Sequence, residues 1–154
     1  MKAVVGIVLG SSSDREAIQP AVDTLEEFGV GYEVVVSSAH RQPAKTRRYA
    51  GGAEKRGIKV IIAAAGMAAH LPGVLASHTT LPVLGVPLAV SSLGGIDSLL
   101  SMAQMPGGIP VGTLGIGRAG ARNAALLAVA ILSLGDAALR DSLEGYRASL
   151  QEDR

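Results

Sequence analysis

Five short apolar runs constrain the fold of this chain more than any other feature of its sequence. Each run has the length of one β-strand, and most of them are continuous instead of alternating between apolar and polar residues. A continuous run is typical of a strand that is covered on both faces, as in a parallel sheet with helices on each side. The runs cover residues 3–9, 32–36, 60–65, 83–86 and 111–114.

Segments with helical spacing separate these runs. The first carries an apolar residue at every third or fourth position, and Gly29 follows where a left-handed cap ends a helix. Pro43 and Gly57 frame the second segment as a helix start and a helix end. The remaining predicted helices cover 71–77, 96–105 and 123–134, followed by a tail helix whose apolar stripe runs from Leu139 to Leu150.

The alternation of strands and helices predicts an α/β fold, a three-layer doubly wound parallel sheet of the flavodoxin-like kind with a C-terminal tail helix. We take residues 1–154 as one domain, because a chain of 154 residues that is 48% apolar can bury a continuous core. Such sheets bind ligands beyond the carboxyl ends of their strands, near the point where the strand order reverses. We therefore expect function in the loops that follow the strands.

The loop after the first strand has the composition of an anion site. Gly10 lets a ligand approach the backbone closely, and serine hydroxyl groups add donors beside a helix start. Ser13 and Glu16 have the spacing of a capping box, which predicts Ser13 as the N-cap of the first helix. Asp14 suits ribose hydroxyl groups better than a phosphate. The same residues could do no more than cap the helix, and the sequence leaves both interpretations open.

His40 and Arg41 follow the second strand. Arg41 can contact a phosphate through two hydrogen bonds, and histidine is the residue type that gains or loses a proton near neutral pH without help. A lone histidine in a loop is usually no more than an exposed side chain. A charged pair at the carboxyl end of a strand, beside a helix start lined with hydroxyl groups, favours a functional role.

The loop after the third strand consists mainly of glycine and alanine apart from His70, so its backbone can lie against a flat ring and exclude water. His70 either contacts a substrate or fixes the loop by bonding a carbonyl group, and we favour the structural role. We expect His78 to be an interior or interface histidine with satisfied hydrogen bonds.

Composition excludes several classes of function. The chain has no cysteine, which excludes disulfides and thiolate metal sites and is compatible with a reducing compartment. A net charge of +1, without an extended run of Lys or Arg, argues against nucleic-acid binding. The N-terminal apolar run is too short for a signal sequence or a membrane span, so we expect a cytoplasmic protein with no membrane partner.

Two further patterns are weak. Residues 115–120 fit the glycine motif of dinucleotide sites, but no strand follows the next helix, so the required βαβ unit is missing and we expect no such cofactor. His40, His70 and His78 have no carboxylate at a matching spacing, and we expect no metal site.

Taken in order, the loops resemble the catalytic subunit of the phosphoribosylaminoimidazole carboxylase family, in its bacterial 5-(carboxyamino)imidazole ribonucleotide mutase form. The resemblance extends from about residue 4 to residue 150 and introduces no extra domain. The motifs that carry it are Gly10-Ser-Ser-Ser-Asp14, Ser38-Ala-His-Arg41, Ala69-His-Leu-Pro-Gly73, Gln104-Met-Pro106, Gly108-Ile-Pro-Val-Gly-Thr-Leu114 and Asn123-Ala-Ala-Leu-Leu-Ala128.

The resemblance implies an isomerase of de novo purine biosynthesis that needs no cofactor. A carboxyl group would leave the exocyclic nitrogen of an imidazole ribonucleotide and reappear on a ring carbon, with His40 as general acid and base. The implied substrate contacts are Ser11, Ser13, Asp14, Ser38, Arg41, Gly66, Ala68, His70 and Leu71. Within this set, Ser38 and Arg41 would hold the phosphate, Ser11 and Asp14 the ribose and carboxylate groups. The resemblance also implies a homo-octamer and a functional coupling to the enzyme that makes the carboxyamino substrate.

Two other functions remain open at this point. One is direct carboxylation of aminoimidazole ribonucleotide with carbon dioxide, and the other is a non-catalytic nucleotide-binding module. The resemblance favours the mutase, because the sister class that carboxylates directly tends to have a lysine where this chain has Arg41 and lacks the His70 to Gly73 motif. Met67 departs from the family pattern, since many relatives have glycine there.

Overall fold

The computed structural model describes residues 1–152, in which the predicted apolar runs form one five-stranded parallel sheet. The strand order β2-β1-β3-β4-β5 reverses between β1 and β3, which confirms the predicted flavodoxin-like topology. The strands are β1 (Val5–Leu9), β2 (Tyr32–Val36), β3 (Val60–Gly66), β4 (Val83–Leu88) and β5 (Gly112–Thr113).

Within residues 1–152, six α-helices connect and flank these strands. They are α1 (Arg15–Glu27), α2 (Pro43–Arg56), α3 (Leu71–Ala76), α4 (Ile96–Ala103), α5 (Gly117–Ser133) and α6 (Ala137–Glu152). Gly29 and Gly57 follow α1 and α2 with φ angles of 63° and 98°, which confirms both predicted helix ends. None of the helices within residues 1–152 is long and apolar enough to cross a membrane.

Alternate strand residues supply two separate cores, one on each face of the sheet. Ile7 and Ile62 pack with α1, α5 and α6 on one face, whereas Val8 and Ile61 pack with α2, α3 and α4 on the other. Helices therefore cover both faces, which is the physical reason why the strand sequences are apolar without alternation. The three-layer prediction is confirmed.

Two elements at the C-terminal side differ from the prediction. Strand β5 has two residues instead of four, and helix α5 begins at Gly117 instead of Asn123. A Cβ atom on Gly120 would lie 1.6 Å from the carbonyl oxygen of Gly115, so this glycine permits the first turn of α5 to pack on the preceding backbone. The glycines of 115–120 thus have a structural role at a helix start.

Candidate active site

The loops after β1, β2 and β3 surround one cleft of about 480 Å³ at the carboxyl ends of the strands. This is the point where the strand order reverses, as expected for a ligand site of this fold. Every site residue predicted from the sequence lines the cleft: Ser11, Ser13, Asp14, Ser38, His40, Arg41, Gly66, Ala68, His70 and Leu71.

The first loop forms a reciprocal cap. Ser11 has extended backbone angles, its Oγ accepts a hydrogen bond from the Ser13 N–H at 3.3 Å, and its own N–H donates to Asp14 Oδ2 at 3.0 Å. The cap opens a short 3₁₀ turn, Ser12–Asp14, that leads into α1. The prediction of Ser13 as N-cap with Glu16 is therefore wrong, because Ser13 already lies inside the turn that Ser11 begins.

Asp14 is only 8% exposed, although an aspartate side chain in water is ionised at neutral pH. Burial raises the pKa of its carboxyl group, and the hydrogen bond from the Ser11 backbone partly opposes this effect. The hydrogen bond from Ser11 engages Oδ2, so Oδ1 is not used by this cap. The cap therefore brings a partly desolvated carboxylate to the wall of the cleft.

The second loop is fixed by hydroxyl groups. Ser37 and Thr46 share a buried hydrogen bond of 2.8 Å, which ties the end of β2 to helix α2. Ser38 Oγ then accepts hydrogen bonds from the backbone N–H and the Nε–H of Arg41, at 3.3 and 3.4 Å. Because Ser38 engages Nε, it orients the guanidinium group without using its terminal nitrogens, which is the arrangement needed for an anion.

His40 and His70 meet across the cleft. His70 Nδ1 lies 2.8 Å from His40 Nε2, and the two rings are nearly perpendicular, with centroids 4.8 Å apart. One ring nitrogen must donate and the other must accept, so the pair carries a single proton between these two atoms. The hydrogen bond of the His70 ring thus goes to another imidazole and not to the carbonyl group considered from the sequence.

His78 does not line the cleft, and its side chain is exposed. The interior half of the prediction is wrong, because His78 follows the end of α3 at the surface of the single chain; its place at an interface between chains stays a prediction.

The third loop has an unusual backbone. Met67 and Ala69 have φ angles of 55° and 42°, in the left-handed region that residues with a Cβ atom rarely adopt. The Ala69 N–H donates to the Gly66 carbonyl at 3.0 Å and closes a tight turn between them. At Met67 the structure thus has the conformation that favours the glycine expected from the family pattern.

Two contacts of the third loop were not predicted from the sequence. A Cβ atom on Gly66 would lie 2.0 Å from Val90 Cγ2, so Gly66 makes room for Val90, which also lines the cleft. Ser101 of α4 donates a hydrogen bond to the carbonyl oxygen of Ala68. The only sequence signal for Val90 is its position in the loop after β4, where the fold places ligand contacts.

Within residues 1–152, no group of three or more histidine, aspartate or glutamate side chains is arranged to hold a metal ion. The functional groups of the cleft are instead two imidazoles, a guanidinium group, a buried carboxylate and several hydroxyl groups. This set can bind a phosphate and transfer a proton.

Comparisons with known proteins show which family this chain resembles along its length. A sequence profile of the AIR carboxylase family matches residues 4–153. The chain is 54% identical to the N5-carboxyaminoimidazole ribonucleotide mutase of Brucella melitensis, over 99% of this chain and 94% of that protein. The enzyme of the same name from Pseudomonas aeruginosa is 52% identical, over 99% of this chain and 93% of that protein.

A solved structure extends the similarity to three dimensions. The crystal structure of Treponema denticola PurE superposes with a TM-score of 0.88 and is 29% identical, and the match covers 97% of this chain and 92% of that one. The relation therefore covers the whole sheet and its helices.

Proposed function

The chain belongs to the AIR carboxylase family, its activity is that of an N5-carboxyaminoimidazole ribonucleotide mutase, and we propose that His40 transfers the proton of this reaction. The observation that carries the proposal is the imidazole pair of His40 and His70 in a cleft with a guanidinium group and a buried carboxylate. Direct carboxylation and a non-catalytic module are not favoured, since the relatives that are 52–54% identical to this chain are named as mutases.

The reaction needs two proton transfers, one to the exocyclic nitrogen and one from the ring carbon. In the proposed mechanism, His40 gives a proton to the exocyclic nitrogen as the bond between this nitrogen and the carboxyl carbon breaks and carbon dioxide is released. The electron-rich ring carbon attacks the carbon dioxide, and His40, which lost its proton in the first step, accepts the proton that this carbon carried. The proton balance is zero over the cycle, and the steps require no cofactor.

The hydrogen bond between His70 Nδ1 and His40 Nε2 supports this role. It fixes the orientation of the His40 ring and places a second group beside it that can share its proton. We propose that the substrate takes the place of one imidazole at this bond when it binds, and that His70 contributes to the wall around the released carbon dioxide.

The remaining contacts divide among the three loops. We propose that Arg41, oriented by Ser38, binds the phosphate, while Ser11, Ser13 and Asp14 bind the ribose and carboxylate groups. The backbone of Gly66 and Ala68, with Leu71, would cover the imidazole. The support for this division is that the cleft of about 480 Å³ has the size of a small-molecule site and that all these residues line it.

The test is a His40→Asn variant with His78→Asn as the matched control. Asparagine keeps much of the size and polarity of histidine but cannot exchange a proton at neutral pH, so we expect turnover to fall by roughly 10² to 10⁴, as for loss of a general acid and base. Binding of the ribonucleotide should stay near the wild-type value. His78 is exposed and outside the cleft, so its variant should be fully active. A His40→Asn enzyme that turns over at a near-normal rate would refute the proton role.

The finer properties implied by the family are also proposals. We propose that residues 1–154 form one ribonucleotide-binding catalytic domain. We also propose that this domain functions in the cytoplasm, because a chain without cysteine is compatible with a reducing compartment. A third proposal is that it couples functionally to the enzyme that supplies its substrate. We also propose a homo-octamer. Its support is the number of large apolar side chains on the surface of the single chain, among them Leu93, Ile96, Leu100, Leu127 and Leu134. Light scattering of the purified protein gives the oligomeric state directly.

A further inference from the structure

We propose that Ser101, which lies in helix α4 and outside the cleft, is a positioning residue that holds the 66–70 loop in place while carbon dioxide is free in the site. This inference rests on the proposed function. The carrying observation is one hydrogen bond, from Ser101 Oγ to the carbonyl oxygen of Ala68. Ala68 lines the cleft and Ser101 does not, so Ser101 acts through the loop.

The loop needs an external contact because its own backbone conformation is unfavourable. Met67 and Ala69, the two neighbours of Ala68, both have positive φ angles. Residues with a Cβ atom adopt such angles only where the surrounding structure enforces them. The hydrogen bond from Ala69 to Gly66 lies inside the turn, whereas the bond from Ser101 attaches the turn to another element.

Helix α4 is a firm support for that contact. Ser98, one turn before Ser101, donates to the carbonyl groups of Leu88 and Gly95 and is fully buried. Met102, which follows Ser101, is also fully buried in the core. Anchors on both sides of Ser101 thus fix the helix, and the hydroxyl group is presented to the loop from a rigid element.

The position of Ala68 affects the reacting groups directly. His70 follows two residues later and contacts His40, so a shift of the Ala68 carbonyl changes the distance between the two imidazoles. The same shift opens the wall that separates carbon dioxide from solvent. The groups proposed to bind phosphate and ribose lie in the other two loops. Loss of the Ser101 hydroxyl should therefore affect turnover and retention of carbon dioxide more than substrate binding.

The first experiment compares the wild-type chain of residues 1–154 with Ser101→Ala and Ser142→Ala. Ser142 is the matched control, because it is also a helix serine that donates to a carbonyl group, in this case that of Ala138 within its own helix α6. Each protein converts the carboxyamino ribonucleotide in buffer with ¹³C-bicarbonate. Because the carbamate group of the substrate also exchanges with dissolved carbon dioxide on its own, initial-rate samples are corrected by an enzyme-free control; label above this background reports released carbon dioxide that has exchanged with solvent.

We expect Ser101→Ala to increase the labelled fraction of product about fivefold and to lower kcat by a similar factor, as for the loss of one hydrogen bond, with KM little changed. Ser142→Ala should match the wild type. A labelled fraction of Ser101→Ala equal to that of the wild type overturns the proposal, as does a loss of kcat without extra label. If the wild type itself does not convert the substrate, the proposed function fails instead, so the two failures can be told apart.

The second experiment tests whether Ser101 acts through the strained loop. Glycine at position 67 adopts a positive φ angle freely, so a loop with Met67→Gly depends less on the external hydrogen bond. We expect the effect of Ser101→Ala on the labelled fraction to be clearly smaller in the Met67→Gly background than in the wild type. Equal effects in the two backgrounds would mean that the sites are independent and would overturn the proposal.

Discussion

The loops after β1 and β3 face the same cleft but are stabilised in opposite ways. In the loop after β1, the serine and aspartate side chains satisfy the backbone of their own turn, and Ser11 has an ordinary extended conformation. In the loop after β3, Met67 and Ala69 adopt unfavourable backbone angles, and contacts from Ser101 and Val90 come from distant parts of the chain.

The difference indicates a division of labour between binding and retention. A loop that caps itself keeps its shape without help and suits a group that must be bound in one position. A strained loop that is held from outside relaxes when its external contacts are lost, and such contacts suit a segment that must stay closed during one step of a reaction. Three further experiments test this contrast, beginning with the largest expected effect.

The largest effect is expected at the contact that holds the β3 loop from outside. Gly66→Ala would place a Cβ atom 2.0 Å from Val90 Cγ2, so the loop and the segment that carries Val90 must move apart. We expect a loss of about 1–3 kcal/mol in the free energy of unfolding, as for overpacking, together with a strong loss of turnover. Urea denaturation and steady-state kinetics measure the two effects.

Two matched variants control this experiment. Gly107→Ala makes the same change where a Cβ atom would meet nothing within 4 Å, so it should be neutral. Val90→Ala in the Gly66→Ala background removes the clashing methyl groups and should restore most of the stability. If the double variant is as unstable as Gly66→Ala, the contact with Val90 is not the reason why this position requires glycine.

In the β1 loop, the effect should be smaller and should depend on pH. Asp14→Ala removes the acceptor for the Ser11 N–H and should cost about 1 kcal/mol, as for loss of a helix cap. Asp14→Asn keeps an acceptor and removes the buried charge, so at neutral pH it should be at least as stable as the wild type.

The sign of the pH dependence follows from the raised pKa of Asp14, for which burial is the main cause. A raised pKa means that the folded state binds the proton more readily than the unfolded state, so the wild type gains stability as the pH falls through the folded pKa. The advantage of Asp14→Asn over the wild type should therefore be largest at neutral pH and shrink toward the ordinary aspartate value of 3.8. An advantage that grows on acidification would contradict the assignment.

The smallest effect should be a gain of stability in the β3 loop. Met67→Gly relieves a positive φ angle of 55° and should raise the free energy of unfolding by about 0.5–1 kcal/mol. Ser12→Gly is the control in the β1 loop, where the backbone has no positive φ angle. Glycine there only raises the entropy of the unfolded chain and should lower the free energy of unfolding slightly. Thermal denaturation compares the pair. Equal shifts of both variants in one direction would remove the contrast between the two loops.

Most of the fold and the composition of the cleft follow from short-range sequence information. The continuous apolar runs predicted buried parallel strands, and the topology of such sheets brings the loops after β1, β2 and β3 to one edge. His40, Arg41 and His70 could therefore be assigned to one site without a structure, because the carboxyl ends of parallel strands all lie at the same edge of the sheet.

The details that depend on tertiary context could not be predicted. The segment from Ser11 to Glu16 contains two overlapping capping patterns, and only the surrounding structure decides that Ser11 and Asp14 form the cap. The bond between Ala68 and Ser101 joins residues 33 positions apart, and no local pattern indicates it. The early start of α5 was missed because its glycines resemble a loop until the close packing of Gly120 on Gly115 is seen.

The short β5 strand also affects how the sheet can meet other polypeptides. An edge strand offers unpaired backbone groups to any extended chain, and proteins limit this risk by shortening the edge or placing proline beside it. Strand β5 has two residues and follows Pro106 and Pro110, whereas the opposite edge, β2, has five partly exposed residues. Unwanted strand addition during expression or storage should therefore occur at β2, and a lysine or proline placed in this strand should reduce it.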